Sequence, residues 1–80
     1  MIPNGWLIDP KGKCLLLFQK EPMGLKGSPK IFMDKWDSTS QGTPSKFRNR
    51  RKVDIQPAIE TWNELIGNGW RHLQFHDLVA

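Results

Sequence analysis

The chain has 80 residues, of which 38% are apolar and 25% charged, a composition typical of one small folded domain. Twelve basic and eight acidic residues give a net charge of +4. Five of the basic residues lie within residues 46–52, and the rest of the chain carries seven basic and eight acidic residues, so the excess charge is local. A chain of this size buries only about 60–65% of the surface exposed by its unfolded form, which leaves self-association open as a source of stability.

Cysteine usage and hydropathy exclude several classes of protein. The single cysteine, Cys14, excludes an intrachain disulfide and favours a reducing, cytoplasmic location. The longest apolar run, residues 14–18, is far shorter than the roughly 20 residues of a membrane span. The N-terminus lacks the basic start and long apolar stretch of a secretion signal. We therefore expect a protein that is neither exported nor embedded in a membrane.

The first twenty residues predict a β-hairpin. Two short apolar runs, residues 6–8 and 14–18, flank a turn signal made of Asp9, Pro10, Lys11 and Gly12. Residues 21–29 then hold two prolines and two glycines, which interrupt regular structure.

The middle of the chain predicts two further strands. Residues 30–36 alternate, with Ile31, Met33 and Lys35 on one side, and the pattern leaves open which side faces the core. We expect residues 37–45 to form a polar loop with little fixed structure. Residues 46–53 suit an edge strand, with a flexible arm as the alternative. That strand would carry Phe47, Asn49, Arg51 and Val53 on one side and Arg48, Arg50 and Lys52 on the other.

Residues 54–66 predict a helix. Because the residue before a proline avoids the helical conformation, Gln56 is favoured over Asp54 as its cap, with Pro57 in the first turn. One apolar stripe consists of Ala58, Ile59, Trp62, Leu65 and Ile66. Residues 67–69 end the helix. Residues 70–79 predict a short strand or a docked tail, anchored by Leu73 and Phe75.

Together these elements predict the fold class. We expect an α+β domain spanning residues 1–80, with a three- or four-stranded antiparallel meander and one C-terminal helix packed on one face.

Three stretches of the sequence resemble a known family. They are the N-terminal run Gly5-Trp6-Leu7-Ile8-Asp9-Pro10, the basic residues 48–52, and the helix end with Trp62, Leu65, Gly69 and Trp70. They are similar to a group of small proteins from marine cyanobacteria known as a domain of unknown function, number sixteen fifty-one. The resemblance implies a cytoplasmic bacterial protein and carries over no functional residue.

The candidate binding residues lie in the basic segment and at two tryptophans. The segment comprises Lys46, Phe47, Arg48, Arg50, Arg51 and Lys52. Three explanations compete for it: a solvated edge, a contact with an acidic protein surface, and a nucleic-acid contact in which cations neutralise phosphates. Trp36 and Trp70 lie at the ends of elements, where exposed rings contribute to interfaces, whereas Trp6 and Trp62 are expected in the core.

The sequence offers no assembled catalytic or metal-binding set. His72 and His76 are four residues apart, but Cys14, Asp9 and Asp77 add no recognised ligand spacing. Glu60 and Glu64 lie on the outer side of the predicted helix. We also expect a domain this small to lack the usual substrate cavity of roughly 300 Å³ or more.

We therefore expect no enzyme activity, no metal and no cofactor. The leading hypothesis is a non-enzymatic interaction or regulatory module that docks an acidic macromolecular surface, most simply a protein, through the basic segment. The alternative is a DNA- or RNA-binding domain that uses the same strand.

Overall fold

The computed structural model describes residues 2–22 and 29–74, and over these residues it shows five antiparallel strands and one helix. The elements are β1 (Gly5–Ile8), β2 (Cys14–Lys20), β3 (Lys30–Ser38), β4 (Pro44–Asp54), α1 (Ile55–Gly67) and β5 (Arg71–Leu73). The strand order is β4-β3-β2-β1-β5. The predicted α+β meander with one helix is confirmed, and the short segment after Trp70 adds a fifth strand to the predicted three or four.

The first hairpin forms where the sequence predicts it. Leu7 pairs with Leu16 in the β1–β2 ladder. The Asp9 carboxylate accepts hydrogen bonds from the backbone N–H of Lys13 at 2.7 Å and of Cys14 at 3.0 Å. Gly12 has a φ of 72°, which glycine adopts without strain. The turn is thus fixed by the residues that predicted it.

The second hairpin, between β3 and β4, corrects the expectation of a loosely structured loop at residues 37–45. β3 continues to Ser38 and β4 begins at Pro44, which leaves a short turn. Thr39 N–H donates to the Thr43 carbonyl at 2.8 Å, and the two threonine hydroxyls lie 2.7 Å apart. The polar side chains of this segment therefore fix the turn through hydrogen bonds. The abundance of polar residues in the sequence does not reveal which of them will pair.

The cap of the helix lies two residues before the predicted one. Its N-cap is Asp54, and Gln56 lies inside the helix, so the preference for Gln56 was wrong. Pro57 still lies in the first turn, where its missing N–H removes no helical hydrogen bond. At the other end, Trp70 N–H donates to the Leu65 carbonyl at 3.0 Å. Ile66 is 41% exposed, so the apolar stripe is narrower than predicted.

The helix lies on one side of the sheet, which we call the helix face. There Ala58 and Trp62 pack on a buried cluster of Leu7, Phe18, Ile31 and Met33. The rings of Phe18 and Trp62 meet edge to face, with centroids 5.0 Å apart. The structure therefore answers the question left open for β3: its Ile31 side faces the main core.

The opposite face of the sheet carries a second, smaller cluster. Ile8, Leu15 and Leu73 are buried there, bordered by the half-buried rings of Trp6 and Trp36. Trp62 lies in the main core as expected, whereas Trp6 borders this second cluster. Leu73 anchors β5 as predicted, and Phe75 lies outside the described residues, as do His76 and Asp77.

Candidate binding site

The basic segment lies on an edge strand. β4 is eleven residues long and is the terminal strand in the sheet order. It pairs with β3, and its other edge has no strand partner within the part of the chain that the structure describes. Every residue from 45 to 52 is exposed. The predicted edge strand is confirmed.

A bulge breaks the predicted alternation of β4. Lys35 pairs with Asn49, but the next residue of β3, Trp36, pairs with Phe47, so Arg48 is an extra residue. Phe47 consequently leaves the side shared by Asn49 and Arg51 and contacts Trp36 edge to face, with ring centroids 5.4 Å apart. The expectation that Phe47 shares a side with Asn49 and Arg51 was wrong, because strict alternation holds only without an extra residue.

Three of the five cations of β4 bind carboxylates of the chain itself. Arg50 donates to Asp34 through Nε at 2.7 Å and Nη2 at 2.8 Å, and its guanidinium lies 4.2 Å from the centre of the Phe32 ring. Lys52 Nζ lies 3.2 Å from a Glu21 carboxylate oxygen.

Arg48 binds the third carboxylate, that of Asp37, through Nε at 2.9 Å and through Nη2. These hydrogen bonds lower the pKa of Asp37 and raise that of Arg48. The basic segment is therefore less positive than its sequence indicates.

Two cations of the segment remain without an ion pair among residues 2–22 and 29–74. Lys46 lies near the start of β4, beside Phe47, whose side chain is 46% exposed. Arg51 lies opposite Met33, on the helix face. The structure therefore divides these predicted site residues between the two faces of the sheet. Arg51 and Trp70 lie on the helix face. The opposite face carries Trp36, Phe47, Arg50 and Lys52.

A groove of about 540 Å³ lies between α1 and strands β2–β4. Leu16 and Met33 contribute strand residues, and Thr61, Leu65 and Trp70 line it from the helix and the segment that follows it. Lys35, Asn49 and Arg51 supply its polar side, and none of the carboxylates among residues 2–22 and 29–74 lines it. The expectation that a domain this small lacks a cavity of roughly 300 Å³ or more was wrong. Sequence reasoning missed Lys35 as a site residue; its signal was the alternation with Ile31 and Met33.

Cys14 also lines this groove. Its pKa is raised, mainly by burial, then by the nearby carboxylates of Asp9 and Asp37, while Lys35 acts in the opposite direction. His72 stacks edge to face on Trp62, with centroids 5.3 Å apart. Within the described residues, no group of three His, Cys, Asp or Glu side chains could hold a metal ion.

Comparison with known proteins identifies the family. The family described as "Protein of unknown function (DUF1651)" matches residues 4–76, which include all five strands and the helix. The chain belongs to this family. A search of curated proteins and a search of solved structures give no match. Of the helices described, none has both the length and the apolar character to cross a bilayer.

Proposed function

We propose that this family member is a non-enzymatic interaction module that binds an acidic, extended segment of a partner protein along the outer edge of β4. The observation that carries the proposal is the outer edge of β4, an exposed eleven-residue strand rich in cations, which has no strand partner among the described residues. An added strand would satisfy the unpaired backbone N–H and C=O groups of that edge.

The charges of β4 suit spaced carboxylates. Lys46 has no ion pair within the described residues. The pair Arg48–Asp37 joins two exposed side chains, and the pair Lys52–Glu21 joins an exposed lysine to a half-buried glutamate. Exposed ion pairs contribute little to stability, so a partner carboxylate could replace one at low cost. Phe47 adds exposed apolar surface beside Lys46. Arg50 remains paired with the buried Asp34 and does not contact the partner in this proposal.

A protein partner fits this edge better than a nucleic acid does. A nucleic-acid strand carries a phosphate at every nucleotide and would meet the carboxylates of Asp37 and Glu21 that lie among the cations. An acidic peptide places its carboxylates at intervals and also brings backbone N–H donors beside its C=O acceptors, whereas a phosphodiester backbone supplies acceptors only. These two differences favour the protein partner.

The proposal has two further parts. The protein binds a partner and catalyses no reaction, and it is located in the reducing cytoplasm of a bacterium. The presence of a single cysteine, Cys14, supports the reducing compartment, because a lone cysteine forms no intrachain disulfide. Its raised pKa keeps it protonated, whereas a nucleophilic cysteine needs a lowered pKa.

A synthetic peptide that alternates glutamate and valine over about nine residues, within the usual length of a strand, tests the proposal. We expect it to bind with an affinity that falls as salt rises, and we expect an analogue N-methylated at alternate residues, with the same charge, not to bind. The double variant Lys46→Glu/Arg48→Glu should lose binding. The matched control Lys11→Glu/Lys13→Glu changes the net charge equally in the first hairpin and should retain it.

Three results would overturn the proposal: equal binding of the N-methylated peptide, equal loss in both double variants, or tighter binding of single-stranded DNA than of the peptide. The last result would favour the nucleic-acid alternative. Thermal unfolding of each variant establishes that it is folded before its binding is compared.

A further inference from the structure

The groove between the helix and the sheet combines an apolar lining with two cations that form no ion pair with any described carboxylate. From this combination we infer that the groove is a binding site for a small amphipathic carboxylate. The carboxylate lies between Lys35 and Arg51, and the apolar part lies against Leu16, Met33 and Leu65. This inference does not depend on the edge of β4 and stands apart from the proposed function.

Lys35 and Arg51 are placed to bind one anion together. Lys35 pairs with Asn49, and Arg51 follows two residues later on the same face, so the two cations are diagonal neighbours. Such neighbours are about 7–8 Å apart, within reach of long side chains. A guanidinium can donate two hydrogen bonds to a carboxylate, while the lysine adds a second positive charge.

The two cations have no carboxylate partner in the described part of the chain. Asp37 is close enough for Lys35 to lower its pKa, but it is hydrogen-bonded to Arg48 and does not line the groove. An anion in the groove would therefore relieve the repulsion between two cations that are paired with no carboxylate of the described residues.

The size and lining of the groove suit an acyl chain or an aryl ring. Its volume of about 540 Å³ lies within the range of small-molecule sites, roughly 300–1,000 Å³. Met33 is flexible and polarisable, and the Trp70 ring offers a large apolar surface. An inorganic anion would leave this lining uncovered, and a neutral hydrocarbon would leave the cations unpaired.

The helix favours a single negative charge. Leu65 lines the groove from the last turn of α1 (Ile55–Gly67), where the helix dipole is negative. A doubly charged phosphate monoester would be repelled more strongly than a carboxylate. The geometry thus selects a monocarboxylate.

Titration of the full chain with decanoate, below its micellar concentration, tests the inference by calorimetry. We expect saturable binding at one site, weaker binding of 1-decanol and no binding of acetate. Lys35→Met and Arg51→Met keep the aliphatic stems and should each weaken decanoate binding about tenfold or more, which corresponds to one lost charge-assisted hydrogen bond. The control Lys11→Met should leave it unchanged.

Alkylation of Cys14 gives an independent readout, because it is the only cysteine of the chain and lines the groove. Decanoate should slow its reaction with iodoacetamide, and Thr61→Trp, which fills the groove without removing a cation, should abolish decanoate binding. The inference is wrong if decanoate does not saturate one site, if 1-decanol binds as tightly, or if neither methionine variant weakens binding. Melting curves of the variants ensure that only folded proteins are compared.

Discussion

Arg50 and Asp34 face each other across the β3–β4 ladder and form two hydrogen bonds, of 2.7 and 2.8 Å. Asp34 is only 3% exposed, and it also accepts a hydrogen bond from Gln19 Nε2 at 3.2 Å. A buried carboxylate needs such partners, because its desolvation is costly when it is unpaired. Arg50, the cation at the centre of the basic segment, therefore stabilises the sheet by pairing with a buried carboxylate.

We predict that Asp34→Asn lowers the free energy of unfolding by about 1.5–3 kcal/mol, the range for hydrogen bonds to charged groups. Asparagine keeps the shape but offers one acceptor oxygen, and its NH₂ group would face a guanidinium N–H. Urea unfolding measures the change. The control Asp37→Asn, at an exposed pair, should cost less, and equal losses in the two variants would contradict this account.

A second prediction concerns acid titration of Asp37. Its pKa is lowered from the ordinary 3.8, first by the Arg48 hydrogen bond and to a lesser extent by Lys46. A carboxylate whose pKa is lower in the folded than in the unfolded state adds stability above the unfolded pKa and loses it as the pH falls through the folded value.

We therefore expect the contribution of Asp37 to begin to fall below about pH 4, near the unfolded pKa, and to be lost once the pH is below the folded pKa. Carbon NMR titration of the Asp37 carboxyl should show its pKa rising toward 3.8 in Arg48→Met and by a smaller amount in Lys46→Met. An unchanged pKa in Arg48→Met would mean that the pair does not form in solution.

Local signals predicted much of the fold. Asp9, Pro10 and Gly12 specify a turn by their own conformations, and the Gly67–Gly69 stretch ends the helix through its backbone freedom. Both signals act within a few residues, so they can be identified without knowledge of the tertiary structure. The fold class followed from the order of such elements.

The candidate site was harder to predict because it depends on relations between strands. The bulge at Arg48 turns Phe47 to the other face, and a residue alternation contains no sign of the extra residue. The count of charges in residues 46–52 includes Arg50 but not Asp34, the carboxylate on the neighbouring strand that pairs with it. The groove exists only because β3 lies beside β4 and Trp70 follows the helix back over the sheet.

A third prediction concerns the turn between β3 and β4. The Thr39 hydroxyl accepts from the backbone N–H of Thr43 at 3.2 Å and of Gln41 at 3.3 Å. Thr39→Ala should lower the free energy of unfolding by about 1–3 kcal/mol, because each of the two lost hydrogen bonds usually contributes about 0.5–1.5 kcal/mol. Thr39→Ser keeps the hydroxyl and should restore most of the loss in thermal or urea unfolding; failure of serine to do so would assign the effect to the methyl group.

A fourth prediction concerns the C-terminal end of α1. Ile66 is exposed, and no basic residue lies in the last turn. Ile66→Lys should therefore raise the free energy of unfolding by about 0.3–1 kcal/mol, through interaction with the negative end of the helix dipole. Ile66→Glu is the matched control and should lower it. If both variants changed stability in the same direction, side-chain packing and not the dipole would determine the effect.

The last prediction concerns Gly5, which has a φ of +117°, a conformation that side chains rarely adopt. A Cβ at this position would lie 2.6 Å from His72 Nε2, and the His72 ring is in turn packed against Trp62. Gly5→Ala should lower the free energy of unfolding by about 1–3 kcal/mol through backbone strain alone, with the steric overlap adding to it.

A double-mutant cycle separates these two causes. In the His72→Ala background the overlap is gone while the backbone strain remains, so Gly5→Ala should cost less than in the wild type but still destabilise the protein. If the cost were the same in both backgrounds, the histidine ring would have moved aside without loss, and the strained backbone alone would explain why glycine is required at the start of β1.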